Sequence, residues 1–137
     1  MPPRRNDLTF YDRMAGHWWD ESAKIYALHH LNPLRFEYFD RFISSWKDLR
    51  VLDVGCGGGY TCEFLAQRGA IVSGIDQSLA CIQRAIKQAQ PHYKIDYLHG
   101  YAESLPYANQ SFEAVLCVDV QIHSSARAIS AVAASWI

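Results

Sequence analysis

The fold of this chain is decided by Val51-Leu52-Asp53-Val54-Gly55-Cys56-Gly57-Gly58-Gly59-Tyr60. The stretch begins as a short apolar run, which is typical of a parallel strand covered on both faces. It then breaks into glycines and resumes at Tyr60 with helical spacing. A strand, a glycine loop and a helix in this order point backbone N–H groups and a helix N-terminus at a ligand. The stretch therefore predicts a nucleotide or nucleoside site.

The spacing of the glycines narrows the kind of ligand. In the dinucleotide pattern G-x-G-x-x-G that Gly55 opens, Tyr60 takes the place of the third glycine. What stands instead is D-x-G-x-G-x-G from Asp53 to Gly59, and Asp76 closes the next apolar run 21 positions beyond Gly55. That distance suits a carboxylate that accepts hydrogen bonds from ribose hydroxyls. Glycine-rich turns also occur where nothing binds, but the combination with Asp76 favours a ligand site.

Composition and charge exclude several classes of protein. The 137 residues are enough for one domain, and 13 basic against 14 acidic residues make nucleic acid an unexpected partner. The four cysteines form no C-x-x-C pair and have no histidine at a zinc spacing, so we expect free thiols and no metal site. No apolar run reaches about 18 residues, so we expect a cytoplasmic protein without an integral membrane segment.

Residues 1–46 are expected to form a helical lid or packing segment. Gly16 and Ser22 favour two short helices within residues 7–30 rather than one long helix. Asn32 is expected to cap the next helix, with Pro33 in its first turn. The apolar residues that follow recur at helical spacing and predict one buried face; they are Leu34, Phe36, Phe39, Phe42, Ile43 and Trp46.

Strands and helices alternate from residue 47 onward. Strands are predicted at 50–54, 71–75, 93–98 and 112–118, with helices at 59–68 and 79–90. Gly69 should end the first of these helices, and Ser78 should cap the second. Right-handed crossovers then give an α/β fold with a parallel sheet of order 3-2-1-4 and helices on both faces. Ligands bind such sheets at the carboxyl ends of the strands.

The acid-plus-glycine loop resembles the first motif of the class I S-adenosylmethionine-dependent methyltransferases. Further pieces are similar to the demethylubiquinone (polyprenyl-dihydroxybenzoate) O-methyltransferases of quinone biosynthesis: Trp18-Trp19-Asp20, Leu28-His29, Asn32-Pro33-Leu34-Arg35, and Val118-Asp119-Val120 with His123. The resemblance covers residues 10 to 123. It implies one domain over 1–137, in which 47–123 form a Rossmann-like core that binds S-adenosylmethionine and 124–137 form an atypical tail.

The resemblance also implies roles for individual residues around the methionine end of the cofactor. Arg35 would pair with the methionine carboxylate, since its planar fork matches carboxylate geometry; the alternative is a surface cation. Gly55, Gly57 and Gly59 would let the backbone approach the methionine, and Asp53 would hold the loop or face the ammonium group.

At the nucleoside end, Asp76 would accept hydrogen bonds from the ribose hydroxyls, with Gln77 beside the adenine. Ala102 and Glu103 match positions that contact the adenine edge in the family. Val118 would contact the cofactor near the end of strand four.

The catalytic segment after strand four departs from the family pattern. The family pattern has an acid followed by Leu-Glu-His. The corresponding residues of this chain are Asp119, Gln121, Ile122 and His123, and Ile122 has no lone pair with which to bind a cation. His123 is expected to act as a general base on a phenol, because the pKa of histidine lies near working pH. A helix-cap histidine is the alternative for this position.

Three functions follow from these patterns. The first is an O-methyltransferase that acts on a phenolic hydroxyl of a small quinone precursor. The second is a cofactor-binding or assembly module without turnover, which Ile122 favours. The third, a dinucleotide oxidoreductase, fails because Tyr60 breaks the required glycine pattern.

The tail from Ser124 to Ile137 is rich in alanine and serine and is expected to form one helix. Family members continue with about three more strands after strand four, so the resemblance implies that the C-terminal strands are missing here. An unpaired apolar strand recruits other chains. We therefore expect a homo-oligomer joined through strand four, the tail, or both.

Overall fold

The computed structural model describes residues 8–20, 31–118 and 126–132. The helices are α1 (Leu8–Met14), a short 3₁₀ turn (Ala15–His17), α2 (Asn32–Phe39), α3 (Tyr60–Gln67), α4 (Leu79–Gln88) and α5 (Ala126–Val132). The strands are β1 (Arg50–Val54), β2 (Ile71–Asp76), β3 (Ile95–His99) and β4 (Ala114–Cys117).

The four strands form one parallel sheet in the order β3-β2-β1-β4. Val51 of β1 lies opposite Val72 of β2 on one side and Ala114 of β4 on the other. The predicted order is therefore confirmed, and β1 has its predicted bounds. The two outer strands are displaced or shorter than predicted, because an outer strand pairs along one edge and its flanking residues continue as loop.

Helices cover the sheet on both faces. On one face α3 and α4 pack with Leu65 and Ile82 against strand residues that include Val51 and Val72. On the other face α5 buries Ile129 and Val132 against a second apolar cluster, whose strand members are Leu52, Val54, Ile75 and Val115. The alternation of Val51 and Leu52 between the two clusters follows from the two-residue period of a strand.

Helix α2 differs from its prediction at both ends. Leu31 occupies the cap position and no side chain caps the helix, so the prediction that Asn32 is the cap is wrong. The helix stops at Phe39, and the amides of Phe42 and Ile43 turn back to the carbonyl oxygen of Phe39. Because the chain bends there, Phe42 leaves the buried face and is 64% exposed. Leu34, at 66% exposed, is also outside the face that was predicted to be buried.

Asp40 fastens the end of α2 to α3. Its carboxylate accepts a hydrogen bond from Trp46 Nε1 at 2.7 Å and forms an ion pair with Arg68 Nη1 at 3.0 Å. The Trp46 bond, followed by the Arg68 charge, lowers the pKa of Asp40. The Arg68 guanidinium also lies 4.8 Å from the ring centre of Phe36. Helix α2 is therefore a packing layer on α3 and shares its apolar cluster.

Two of the predicted helix ends are confirmed. Ser78 caps α4, and its hydroxyl accepts the Cys81 amide at 3.2 Å. Gly69 follows α3 with a φ of 91°, the left-handed conformation that glycine adopts most readily after a helix. Both ends depend on interactions within a few residues of the helix, so the sequence could indicate them.

Helix α5 is joined to the loop before β4. The amides of Gln110 and Phe112 donate to the carbonyl oxygens of Ala131 and Val132. Its buried residues Ile129 and Val132 thus pack within their own chain. Within the described ranges, no helix is long and apolar enough to cross a membrane.

Candidate functional site

The glycine loop between β1 and α3 forms the centre of the site. Gly55, Gly57 and Gly59 have φ values of 76°, 56° and 90°, a backbone conformation that residues with a side chain rarely adopt. The amides of Gly55 and Cys56 both donate to the carbonyl oxygen of Ile75, at 2.8 and 3.1 Å. The loop is therefore tied to the end of β2, and Gly55 itself is exposed to solvent.

Asp76 links the end of β2 to this loop. Its Oδ2 accepts the Gly57 amide at 2.9 Å, and its Oδ1 accepts the Ser78 amide at 2.8 Å. Burial raises the pKa of Asp76, while the two amide bonds oppose that rise. A carboxylate has about four acceptor positions, so each oxygen keeps one for a further donor such as a hydroxyl. Asp76 is thus held in one orientation and can still bind a ligand.

Asp53 lies below the loop, on the face of β1 that α3 covers. It is 3% exposed, and the Cys62 thiol lies 3.6 Å from its Oδ2. Burial raises the pKa of Asp53 to about 7, and the positive charge of Arg35 acts in the opposite direction. The structure therefore brings Arg35 and Asp53 close enough to interact electrostatically, although they come from different elements.

Arg35 reaches the site from α2. Its Nη1 donates to Asn32 Oδ1 at 3.4 Å, and Asn32 Nδ2 donates to Thr61 Oγ1 at 3.2 Å. Thr61 stands in the first turn of α3, directly after the glycine loop. This chain of contacts connects the N-P-L-R stretch to the beginning of α3.

The other residues that were predicted to contact the cofactor follow the carboxyl ends of β2, β3 and β4, which meet at one edge because the strands are parallel. Gln77 follows β2 and is exposed, and His99 Nε2 lies 3.1 Å from its carbonyl oxygen. Ala102 is half-buried and Glu103 exposed in the loop after β3, and half-buried Val118 directly follows β4. His123, with Asp119, Gln121 and Ile122, lies outside the described residues.

Two tryptophans also contact the loop, and the sequence reasoning assigned them no role. Trp18 is buried so close to the Gly57–Gly58 backbone that a Cβ on either glycine would overlap its indole. Trp19 Nε1 donates to the Gly58 carbonyl oxygen at 2.8 Å, and its ring centre lies 5.1 Å from that of Tyr60. The adjacent Trp-Trp pair was the available signal, since two neighbouring large rings in a short helical segment need partners to bury them.

The front segment, by which we mean the described residues 8–20 and 31–46, makes a polar contact with this edge as well. Asp12 of α1 accepts a hydrogen bond from the hydroxyl of Ser78, two residues after Asp76. Together with Trp18 and Trp19, this contact places the first helical turns over the glycine loop and the beginning of α4.

Tyr97 and Gly74 support the loop from below. Tyr97 Oη donates to the Gly59 carbonyl oxygen at 3.4 Å. A Cβ on Gly74 would lie 2.9 Å from Cys62 Sγ and 3.0 Å from Cys56 Sγ, so this strand position has no room for a side chain. Within residues 8–20, 31–118 and 126–132, no group of three or more His, Cys, Asp or Glu side chains is arranged so that it could hold a metal ion.

Comparison of this chain with known proteins identifies its relatives. A model of the methyltransferase domain family matches residues 51–136. A ubiquinone biosynthesis O-methyltransferase of Saccharophagus degradans is 38% identical over 119 residues, which are 85% of this chain and 50% of the relative. The protein of the same name from Roseobacter denitrificans is 38% identical over 134 residues, with 86% and 52% covered. The chain therefore spans about half the length of the curated relatives it matches.

Solved structures share the fold. A Pyrococcus horikoshii protein superposes with a TM-score of 0.73 at 22% identity, over 90% of this chain and 57% of its own. The magnesium protoporphyrin IX methyltransferase of Synechocystis, solved with bound SAH, superposes with a TM-score of 0.65 at 24% identity, over 82% and 54%. At these identities the likeness supports the fold alone.

Substitution of Gly57 tests the close packing above the loop. We expect Gly57→Ala to lower the free energy of unfolding by about 2 kcal/mol or more, because the new Cβ meets Trp18 at a left-handed φ. Urea denaturation followed by circular dichroism measures the change. The control is Gly16→Ala, where an added Cβ meets nothing within 4 Å. Equal losses in the two variants would contradict the packing.

The burial of Asp53 predicts a pH dependence of stability. The pKa of Asp53 is raised to about 7 in the folded chain, against about 3.9 when unfolded. The folded chain therefore favours the protonated carboxyl group. Its contribution to the free energy of unfolding is fully present below pH 4 and is lost as pH rises through 7. The free energy of unfolding should fall across this window by up to about 1.4 kcal/mol per pH unit.

Denaturation at a series of pH values compares the chain with Asp53→Asn, which cannot titrate and should lack that slope. Asp96→Asn, at an exposed position on β3, is the control and should keep it. If Asp53→Asn keeps the slope of the unsubstituted chain, another group is responsible.

Proposed function

Because the chain belongs to the family of S-adenosylmethionine-dependent methyltransferases, we propose that it binds S-adenosylmethionine and transfers the methyl group to a phenolic hydroxyl of a small quinone precursor. The observation that carries the proposal is Asp76, held by two backbone amides beside a left-handed glycine loop. The names of the relatives, ubiquinone biosynthesis O-methyltransferases, support the substrate class.

Asp76 is suited to bind the ribose. Two neighbouring hydroxyls can each donate to one carboxylate oxygen, and the amides of Gly57 and Ser78 fix the plane of the group in advance. An acceptor that is already oriented loses little freedom when the ligand arrives. Gln77, Ala102 and Glu103 stand at the neighbouring strand ends, where the adenine would lie, and Val118 would border the cofactor at the end of β4.

The methionine end would be held by charge. Arg35 would donate to the carboxylate, and Asp53 would face the ammonium group or hold the loop through its contact with α3. Exposed Gly55 lets the ligand approach the backbone without a side chain in between, with Gly57 and Gly59 shaping the rest of the loop. Opposite charges at both groups would orient the cofactor along the loop.

When bound, the cofactor would supply a methyl group on a positively charged sulfur; its transfer to a phenolate oxygen would form the O–CH3 bond, break the S–CH3 bond and release S-adenosylhomocysteine. The contribution of the protein is to hold donor and acceptor in that line. His123, which lies outside the described residues, is proposed as the base that takes the phenol proton. In the sequence, His123 comes six residues after Cys117, the last residue of β4.

Replacing Asp76 tests the cofactor site. We expect Asp76→Ala to weaken S-adenosylmethionine binding by about 1.5–3 kcal/mol, because hydrogen bonds to a charged acceptor are lost. Isothermal calorimetry measures the affinity, and thermal unfolding shows whether the variant remains folded.

Asp96→Ala removes an exposed carboxylate from the next strand and should leave the affinity unchanged. The same proteins are then given a cofactor with a labelled methyl group and a catechol. Methyl transfer that depends on Asp76 supports the reaction, whereas binding without transfer would contradict catalysis by this chain.

We also propose that the 137-residue chain self-associates through β4. Among the described residues no strand pairs with its outer edge, so backbone groups there can accept another chain. The tail is a weaker candidate for the contact, since Ile129 and Val132 pack against their own sheet.

Light scattering at several micromolar concentrations should show a mass that rises with concentration. Amide exchange at residues 114–117 should slow over the same range, because pairing protects the edge. A constant monomer mass would contradict self-association.

A further inference from the structure

Asn32 is buried for a reason other than helix capping. It is 1% exposed at the start of α2, yet its side chain makes no capping bond. The amide is used across the helix interface instead, where Nδ2 donates to Thr61 Oγ1 at 3.2 Å. Burying a polar amide is costly unless it has partners, so its position on α2 is tied to α3.

The other end of the same amide contacts Arg35. Asn32 Oδ1 accepts a hydrogen bond at 3.4 Å from Nη1 of Arg35, which lies about one helical turn further along α2. The same oxygen lies 3.5 Å from Thr61 Oγ1, so Thr61 contacts both ends of the amide and holds it beside Arg35. The Arg35 charge is also near enough to act on Asp53, below the glycine loop.

We propose that Asn32 is a positioning residue, which holds the Arg35 guanidinium at the beginning of α3 so that it meets the carboxylate of the bound cofactor. This inference rests on the proposed function, because it assumes that Arg35 binds that carboxylate. A long arginine side chain loses rotamer freedom when it binds a ligand, and the loss is smaller when the chain is already held.

The absence of charge on the Asn32 amide also matters for the binding of the ligand carboxylate by Arg35. An aspartate at this position would pair with Arg35 and compete with the carboxylate of the ligand. Asparagine accepts a hydrogen bond from the guanidinium without cancelling its charge. Asn32→Asp should therefore bind the cofactor more weakly than Asn32→Ala.

The experiment compares two ligands that differ at the group in question. S-Adenosylhomocysteine carries the amino-acid carboxylate and ammonium groups, and 5′-methylthioadenosine has the same nucleoside and sulfur without either group. Calorimetry measures both affinities for the 137-residue chain and for Asn32→Ala, Arg35→Ala and the double variant. We expect Asn32→Ala to weaken S-adenosylhomocysteine about tenfold, the size of one lost hydrogen bond to a charged group, and to leave 5′-methylthioadenosine unchanged. The double variant should bind no more weakly than Arg35→Ala, because both changes remove one arrangement.

Matched variants separate positioning from folding. Leu34→Ala and Glu37→Ala alter exposed side chains of the same helix, and neither should change the ratio of the two affinities. Equal weakening of both ligands by Asn32→Ala, or additive losses in the double variant, would overturn the positioning role. Failure of the unsubstituted chain to bind either ligand would overturn the proposed function and this inference together.

Discussion

The arrangement of the site depends on one constraint, the left-handed backbone of the glycine loop as β1 passes into α3. Gly55, Gly57 and Gly59 all have positive φ, and the loop is held there by hydrogen bonds to Ile75 and Asp76 at the end of β2. These bonds can form because β1 and β2 are parallel neighbours whose ends meet at one edge. The conformation of the loop is thus set by local glycine geometry and by its neighbouring strand together.

The first third of the chain is coupled to this loop at separate points. Trp18 and Trp19 cover the Gly57–Gly58 backbone, while Asn32 contacts Thr61 one turn further along. Asp40 adds an ion pair to Arg68 at the far end of α3. Because these contacts involve both ends of α3, the front segment cannot shift as a unit without breaking bonds near the loop. Binding at the loop should therefore be coupled to the packing of the front segment.

Two carboxyl groups at adjacent strand ends have different environments. Asp76 accepts two backbone amides, which favour its charged form and offset part of its burial. Asp53 contacts a thiol, a weak donor, and burial raises its pKa to about 7. The same residue type thus has two environments beside one loop: Asp76 is held by two backbone amides, and Asp53 is buried against a thiol.

The sequence by itself determined the sheet order, the glycine loop, the glycine that follows α3 and the serine that caps α4. These features follow from local signals: apolar runs of strand length, glycines where φ must be positive, and the capping hydroxyl of Ser78. Asp76 could be placed as well, because the carboxyl ends of parallel strands meet at a single edge. The positions of Gln77, Ala102, Glu103 and Val118 at that edge follow from the same rule.

Only the tertiary structure decided where the front segment lies. Helical spacing predicted that Leu34 and Phe42 would be buried, yet both are exposed. Phe42 follows the bend after Phe39. Leu34 lies within α2 but away from the face that buries Phe36 and Phe39. Asn32 has the residue type and position of a helix cap, but a partner on α3 takes its amide instead. Trp18 had no assigned role until the loop was seen beneath it. Local patterns report the conformation of a segment, whereas the partner of a buried side chain depends on which distant element packs against it.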